Sequence, residues 1–112
     1  MIDLARATAV CAVADIPREG GVAALVDGVA VAVFRTHDGS VHAIGNVDPF
    51  SGASVLSRGI VGSRGTAPVV SSPMYKQAFD LRTGACLDDA SVSVPSYDVS
   101  VVDGVVLVGG VR

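Results

Sequence analysis

The chain has 112 residues, half of them hydrophobic and 17% charged, with a formal net charge of -3; this balance can offset the entropy of folding and excludes intrinsic disorder. With a pI of about 5.0, it has no basic field for a phosphate backbone or an anionic leaflet, which excludes nucleic acid and membrane surfaces as partners. Thirteen glycines and 4% aromatic residues with no tryptophan favour short strands and tight turns over long helices, and the length fits one domain, 1–112.

Residues 1–14, MIDLARATAVCAVA, imitate a leader, with Ala12-Val13-Ala14 as its cleavage site. Asp3 stands where basic residues belong, and Arg6 and Thr8 interrupt the apolar run, so the leader reading fails. No stretch reaches the about 18–20 apolar residues of a membrane span, and the expected location is cytoplasmic. A first strand is expected at 8–13. Asp-Gly pairs at 27–28, 38–39 and 103–104 each lie between β-branched or apolar runs, as hairpin turns require. The first hairpin joins 22–26 to 29–35, and the second joins that strand through 36–40 to 41–45. Residues 46–90 are richer in Gly, Ser, Pro and charge and read as an inserted loop-rich subdomain, with short strands at 60–61, 68–71 and 78–81. The last hairpin joins 97–102 to 105–109. The segment 29–34 is almost continuously apolar, so periodicity alone leaves it ambiguous, and its short length and flanking turns decide for a strand. The chain is therefore expected to be all-β, built of antiparallel sheets.

Few residues carry obvious chemistry. Cys11 and Cys86 are too few for a disulfide framework, fit a reducing compartment, and read as small buried hydrophobes. They and the two histidines are spread over separate elements without metal-ligand spacing. His37 falls in a turn and His42 in a strand, which implies solvated and structural roles. The glycine- and arginine-bearing stretch 58–64 precedes no helix and lacks a lysine-serine or lysine-threonine pair, so it reads as a loop and not as a phosphate cradle. Asp88-Asp89 reads as a turn and not a calcium site. A hydrolase built on Asp48, Ser72 and a histidine is disfavoured, because Ser72 has no G-x-S-x-G context.

Two stretches of the middle segment stand apart: Asp48-Pro49-Phe50-Ser51-Gly52, and Ser72-Pro73-Met74-Tyr75 continuing through Phe79-Asp80-Leu81-Arg82-Thr83-Gly84. They resemble the two cluster-binding loops of the Rieske family, which read C-P-H-x-G and C-P-x-H, the second followed by a strand of the type F-D-x-x-T-G. The resemblance implies a Rieske-like [2Fe-2S] fold. It places the two thiolate positions on Asp48 and Ser72, and the two imidazole positions on Phe50 and Tyr75. A Rieske centre takes two cysteines on one iron and two histidines on the other. Phe50 has no donor atom, and Asp48, Ser72 and Tyr75 supply neither thiolate nor imidazole, so no cofactor and no metal is expected in this chain. Pro49, Gly52, Pro73 and Gly84 keep the loop geometry.

Within that family the chain is similar to the small subunit of the assimilatory NAD(P)H-dependent nitrite reductase. Four blocks carry the likeness: 46–51 (NVDPFS), 55–62 (VLSRGIVG), 72–79 (SPMYKQAF) and 83–89 (TGACLDD). What this implies is a partner, a large catalytic subunit carrying FAD, sirohaem and an iron–sulfur cluster, which reduces nitrite to ammonium. This chain would be its non-catalytic companion, with no catalytic residues of its own. The family projects its ligand-loop tips toward partners, so docking is expected at Phe50, Ser51, Arg58, Tyr75 and Lys76, aromatic and arginine side chains being common interface anchors. Phe50 has a competing role, filling the volume a cluster would take. The alternatives are a Rieske-type ferredoxin that carries electrons, which the missing ligands disfavour, and a stand-alone small-barrel binding module.

Overall fold

Two Asp-Gly turns set the frame of the computed structural model, which describes residues 6–112. At Asp27-Gly28 and Asp103-Gly104 both residues of each pair have positive φ, 51° and 79° in the first and 51° and 76° in the second. This left-handed pair matches the right-handed twist of the flanking strands, and aspartate tolerates it better than most residues. Strands run in chain order as β1 (Thr8–Ala12), β2 (Gly20–Val26), β3 (Val29–Arg35), β4 (Val41–Gly45), β5 (Ile60–Arg64), β6 (Ala67–Ser71), β7 (Ala78–Asp80), β8 (Ser96–Val102) and β9 (Val105–Val111). The Asp27 turn joins β2 to β3 in unbroken register, from Val26 opposite Val29 to Gly20 opposite Arg35. The Asp103 turn joins β8 to β9.

The third pair behaves differently, because it sits in a five-residue loop. Only Gly39 is left-handed there, with φ 87°. The Asp38 carboxylate accepts the Thr36 hydroxyl at 2.5 Å and the Ser40 N–H at 3.0 Å, and these bonds, the Thr36 hydroxyl foremost, hold its carboxyl well below the usual carboxylate range.

Six strands form one antiparallel sheet in the order β1-β9-β8-β4-β3-β2, and its edge strands β1 and β2 touch, giving a nearly closed barrel. A second antiparallel sheet, β5-β6-β7, comes from the middle of the chain. Sequence boundaries shift modestly. The first strand stops at Ala12 because Val13–Asp15 forms a 3-10 turn, anchored by the Val13 N–H on the Gly104 carbonyl at 2.9 Å. The strand expected at 60–61 extends to Arg64, since β5 pairs with β6 along its whole length, from Ile60 opposite Ser71 to Arg64 opposite Ala67. Residues 1–5, part of the leader-like stretch and of the span read as one domain, lie outside the described residues.

The apolar run of β3 is explained by burial on both faces. Val31 and Val33 point to a cluster inside the barrel with Ile16, Val26, Ala43, Tyr97, Val106 and Val108. Ala32 and Phe34 point the other way, into a cluster shared with Ile44, Leu56, Val70, Phe79, Leu81, Cys86 and Val94. Successive strand residues face opposite sides, so a strand covered on both needs apolar residues at every position. The second cluster welds the three-stranded sheet to the barrel wall. Phe34 is fully buried in it, so Phe34→Ala should lower stability by about 3–5 kcal/mol, out of the about 5–15 kcal/mol a domain commonly has. Val29→Ala, at a side chain 50% exposed, should cost less than about 1 kcal/mol, and urea unfolding of both variants checks the contrast.

Candidate functional site

Asp48, Ser72 and Asp80 each open a six-residue loop built on one plan. The first residue donates its N–H to the carbonyl five positions on: Asp48 to Ala53 at 2.8 Å, Ser72 to Gln77 at 2.9 Å, Asp80 to Ala85 at 2.9 Å. Its own carbonyl accepts the N–H four positions on, from Gly52 at 2.7 Å, Lys76 at 3.0 Å and Gly84 at 2.7 Å. Its side-chain oxygen accepts the N–H two positions on, from Phe50 at 2.8 Å, Met74 at 3.2 Å and Arg82 at 2.8 Å. Short oxygen-bearing side chains favour such turns because they satisfy a nearby N–H in place of a strand partner. The fifth position is left-handed in all three, with φ 75° at Gly52, 65° at Lys76 and 80° at Gly84.

The first two loops are tied together at their origins. Ser72 Oγ donates to Asp48 Oδ2 at 2.5 Å across 24 residues of sequence, and both residues are buried. Each Asp48 oxygen thus has a donor, Phe50 N–H on Oδ1 and the Ser72 hydroxyl on Oδ2. A short hydroxyl–carboxylate bond belongs to the stronger class of hydrogen bonds. An unpaired buried carboxylate would be costly.

These residues do not fit an iron–sulfur cluster. Two oxygen ligands about 2.0 Å from a tetrahedral metal lie about 3.3 Å apart, well beyond the 2.5 Å between Asp48 Oδ2 and Ser72 Oγ. Phe50 brings no donor; its ring lies against Phe79, with centroids 6.4 Å apart and tilted by 54°, half-buried on the cluster around Phe34. Tyr75 is 60% exposed. The Asp80 loop carries its own pair, Arg82 donating through Nε and Nη2 to the two Asp80 carboxylate oxygens at 3.2 and 3.1 Å. Burial pushes the Asp80 carboxyl up, and the Arg82 bonds outweigh it, leaving it below its ordinary value.

The five residues expected to dock divide into two groups. Phe50 and Ser51 are half-buried, and Ser51 Oγ is engaged by the Ala53 N–H at 3.2 Å. Arg58, Tyr75 and Lys76 are exposed. Sequence reasoning assigned no role to Asn46, which organises the first loop. Its carbonyl accepts the N–H groups of Val55 and Leu56, both at 3.0 Å, its Oδ1 accepts Ser57 N–H at 2.7 Å, and its Nδ2 donates to Ser54 Oγ at 2.8 Å. An asparagine directly after a strand and two residues before Asp-Pro is the only local signal for this.

The other residues that carry chemistry lie apart from these loops. Cys86 lies in the cluster around Phe34, while Cys11 packs on the barrel cluster; burial pushes the Cys11 thiol up, as does Asp15. His37 and His42 line a small cleft with Glu19, Thr36 and Asp38, and burial pushes the His42 imidazole below its ordinary value despite Asp38. Among the described residues no group of three His, Cys, Asp or Glu side chains is placed to hold a metal ion. Asp88 accepts the Ala78 N–H at 2.8 Å and pairs with Arg64 at 2.9 Å, so the acidic pair and the end of the arginine stretch are structural.

Comparison with known proteins agrees with this fold. Residues 7–109 match the family model described as a Rieske-like [2Fe-2S] domain. The chain is 46% identical over 102 residues to the nitrite reductase (NADH) small subunit of Salmonella typhimurium, spanning 90% of this chain and 94% of that one. It superposes with a TM-score of 0.88 and 54% identity on the crystal structure of a Mycobacterium tuberculosis protein assigned as an NADH-dependent nitrite reductase small subunit, covering 95% of this chain and 94% of the other. It is also 41% identical over 101 residues to a nitrite reductase [NAD(P)H] large subunit of Klebsiella oxytoca, a match covering 90% of this chain and 10% of that one.

The shared loop plan separates two glycines that sequence alone treats alike. A Cβ on Gly52 would meet nothing within 4 Å, whereas one on Gly84 would lie 2.0 Å from the Val94 carbonyl oxygen. Gly52→Ala should therefore cost only the left-handed strain, about 1–2 kcal/mol. Gly84→Ala must also displace backbone and should lower the thermal midpoint much further, which differential scanning fluorimetry of the two variants tests.

Proposed function

We propose, since this chain belongs to the nitrite reductase small subunits within the Rieske-like [2Fe-2S] domain family, that it is the cluster-less small subunit of an NAD(P)H-dependent nitrite reductase and works by docking on the large subunit. The observation that carries the non-catalytic part of this reading is the hydrogen bond from Ser72 to Asp48. It occupies the two thiolate positions of the loops and joins directly what a metal would otherwise join. Electron transfer through this chain then has no centre to use, which also disfavours the ferredoxin reading. FAD, sirohaem and an iron–sulfur cluster belong to the partner, and this chain contributes no catalytic residue.

The Klebsiella match supports the partnership. There a stretch similar to this chain makes up a tenth of a single large-subunit polypeptide. Covalent joining holds two domains at high effective concentration, as suits two parts of one enzyme. Among the described residues no helix is long and apolar enough to cross a membrane. The nicotinamide donor named for the relatives is a cytoplasmic reductant, which supports a cytoplasmic site of action.

Gel filtration of the purified chain mixed with the large subunit should give a stable complex, and adding the chain should change NADH-dependent nitrite reduction by that subunit. The chain alone should bind no stoichiometric iron after anaerobic treatment with iron and sulfide, and should oxidise no NADH with nitrite. Nitrite-dependent NADH oxidation by the isolated chain would sink the proposal.

A further inference from the structure

Next to the tied loops lies an open groove of about 520 Å³, lined by Arg58, Ile60, Ser71, Ser72, Pro73 and Lys76. Ser71 and Ser72 reach it from the end of β6 and the origin of the second loop, Pro73 and Lys76 from that loop, Arg58 from the 3-10 turn Leu56–Arg58 and Ile60 from the start of β5. Ile60 is 77% exposed there, an unusual cost for a large β-branched side chain with no neighbour to cover it. Among the described residues neither Arg58 nor Lys76 has a carboxylate in ion-pair range, unlike Arg64 and Arg82, which pair with Asp88 and Asp80. Two uncompensated cations thus flank an apolar strip on a chain whose net charge is -3.

Lys76 adds an independent observation. It occupies the left-handed fifth position of its loop, with φ 65°, where the two sister loops have Gly52 and Gly84. Glycine takes that conformation without strain and lysine does not. Among the described residues the Lys76 side chain makes no hydrogen bond or ion pair that could hold it in compensation, and it is exposed. Strain kept in a conformation that a smaller residue would relieve points to a use for the side chain outside the fold.

Resting on the docking role proposed above, we infer that this groove receives an acidic segment of the large subunit, one that sets a carboxylate between Lys76 and Arg58 and an apolar residue on Ile60 and Pro73. Charge complementarity selects the partner: on a chain of net charge -3, two unpaired cations flanking an apolar strip favour a segment that brings a carboxylate and an apolar side chain together. The strain at Lys76 is the cost of presenting an ammonium at the loop tip.

Lys76→Gly is the discriminating variant, because it should relieve strain in the fold while removing the charge. Its thermal midpoint should equal or exceed that of the wild-type chain, while its Kd for the large subunit at low salt should weaken about tenfold. Arg58→Ala should weaken binding comparably, and Lys76→Arg should keep it within about threefold. Wild-type binding should weaken steeply as salt rises, and Lys76→Gly should flatten that dependence. A zero-length carbodiimide crosslink should join Lys76 to an aspartate or glutamate of the large subunit. A Lys76→Gly chain that binds like wild type at low salt overturns the groove assignment and leaves the docking role standing. Failure of the wild-type chain to bind the large subunit overturns the docking role itself, and the groove with it.

Discussion

The hydrogen bond from Ser72 Oγ to Asp48 Oδ2, 2.5 Å long and buried, is the interaction on which the relative placement of the first two loops depends. The two loops it joins come from different parts of the chain. The first follows β4 of the barrel, and the second connects β6 and β7 of the small sheet. Beneath them the cluster of Phe34, Ile44, Leu56, Val70 and Phe79 presses the sheets together. Apolar packing is non-directional, however, and does not fix the relative position of two loop origins. A short polar bond with both partners buried does, because parting the loops would strand a carboxylate and a hydroxyl away from water.

The same arrangement holds each loop in shape through bonds of its own. The three-loop plan satisfies its backbone internally, through the same pair of bonds in each copy, so the loops need no ligand to stay folded. Phe50, at one of the two positions that the loop likeness sets against an imidazole, turns its ring onto Phe79 at the edge of the core. The other, Tyr75, stands out into solvent beside Lys76. The loop tip is thus internally bonded, with Tyr75 and Lys76 exposed on it.

Much of the fold could be read from the sequence because turn chemistry is local. The Asp-Gly pairs at 27–28 and 103–104 place their hairpins to within two residues of the strand ends, since both residues adopt the left-handed conformation the turn demands. The edges of the small sheet were less legible: β5 is extended by pairing with β6 through Arg64, and nothing in Gly62-Ser63-Arg64 favours a strand by itself. The loop likeness placed Asp48 and Ser72 at equivalent positions, but their direct bond is a contact across 24 residues, which no local pattern encodes. Asn46 escaped for the same reason, its partners lying 8 to 11 residues away. The repeated plan itself was visible in principle, as Asp or Ser followed four positions later by Gly, Lys and Gly.

A double-mutant cycle on Asp48→Ala and Ser72→Ala, read by urea unfolding, tests the central claim most directly, because the cycle cancels the separate bonds that each side chain makes to its own loop. If the tie holds the two loops together, the single variants should not be additive, and the coupling energy should be about 1–3 kcal/mol. Additivity to within about 0.3 kcal/mol, in variants that still unfold cooperatively, would show that the bond does not join the loops and would contradict the account.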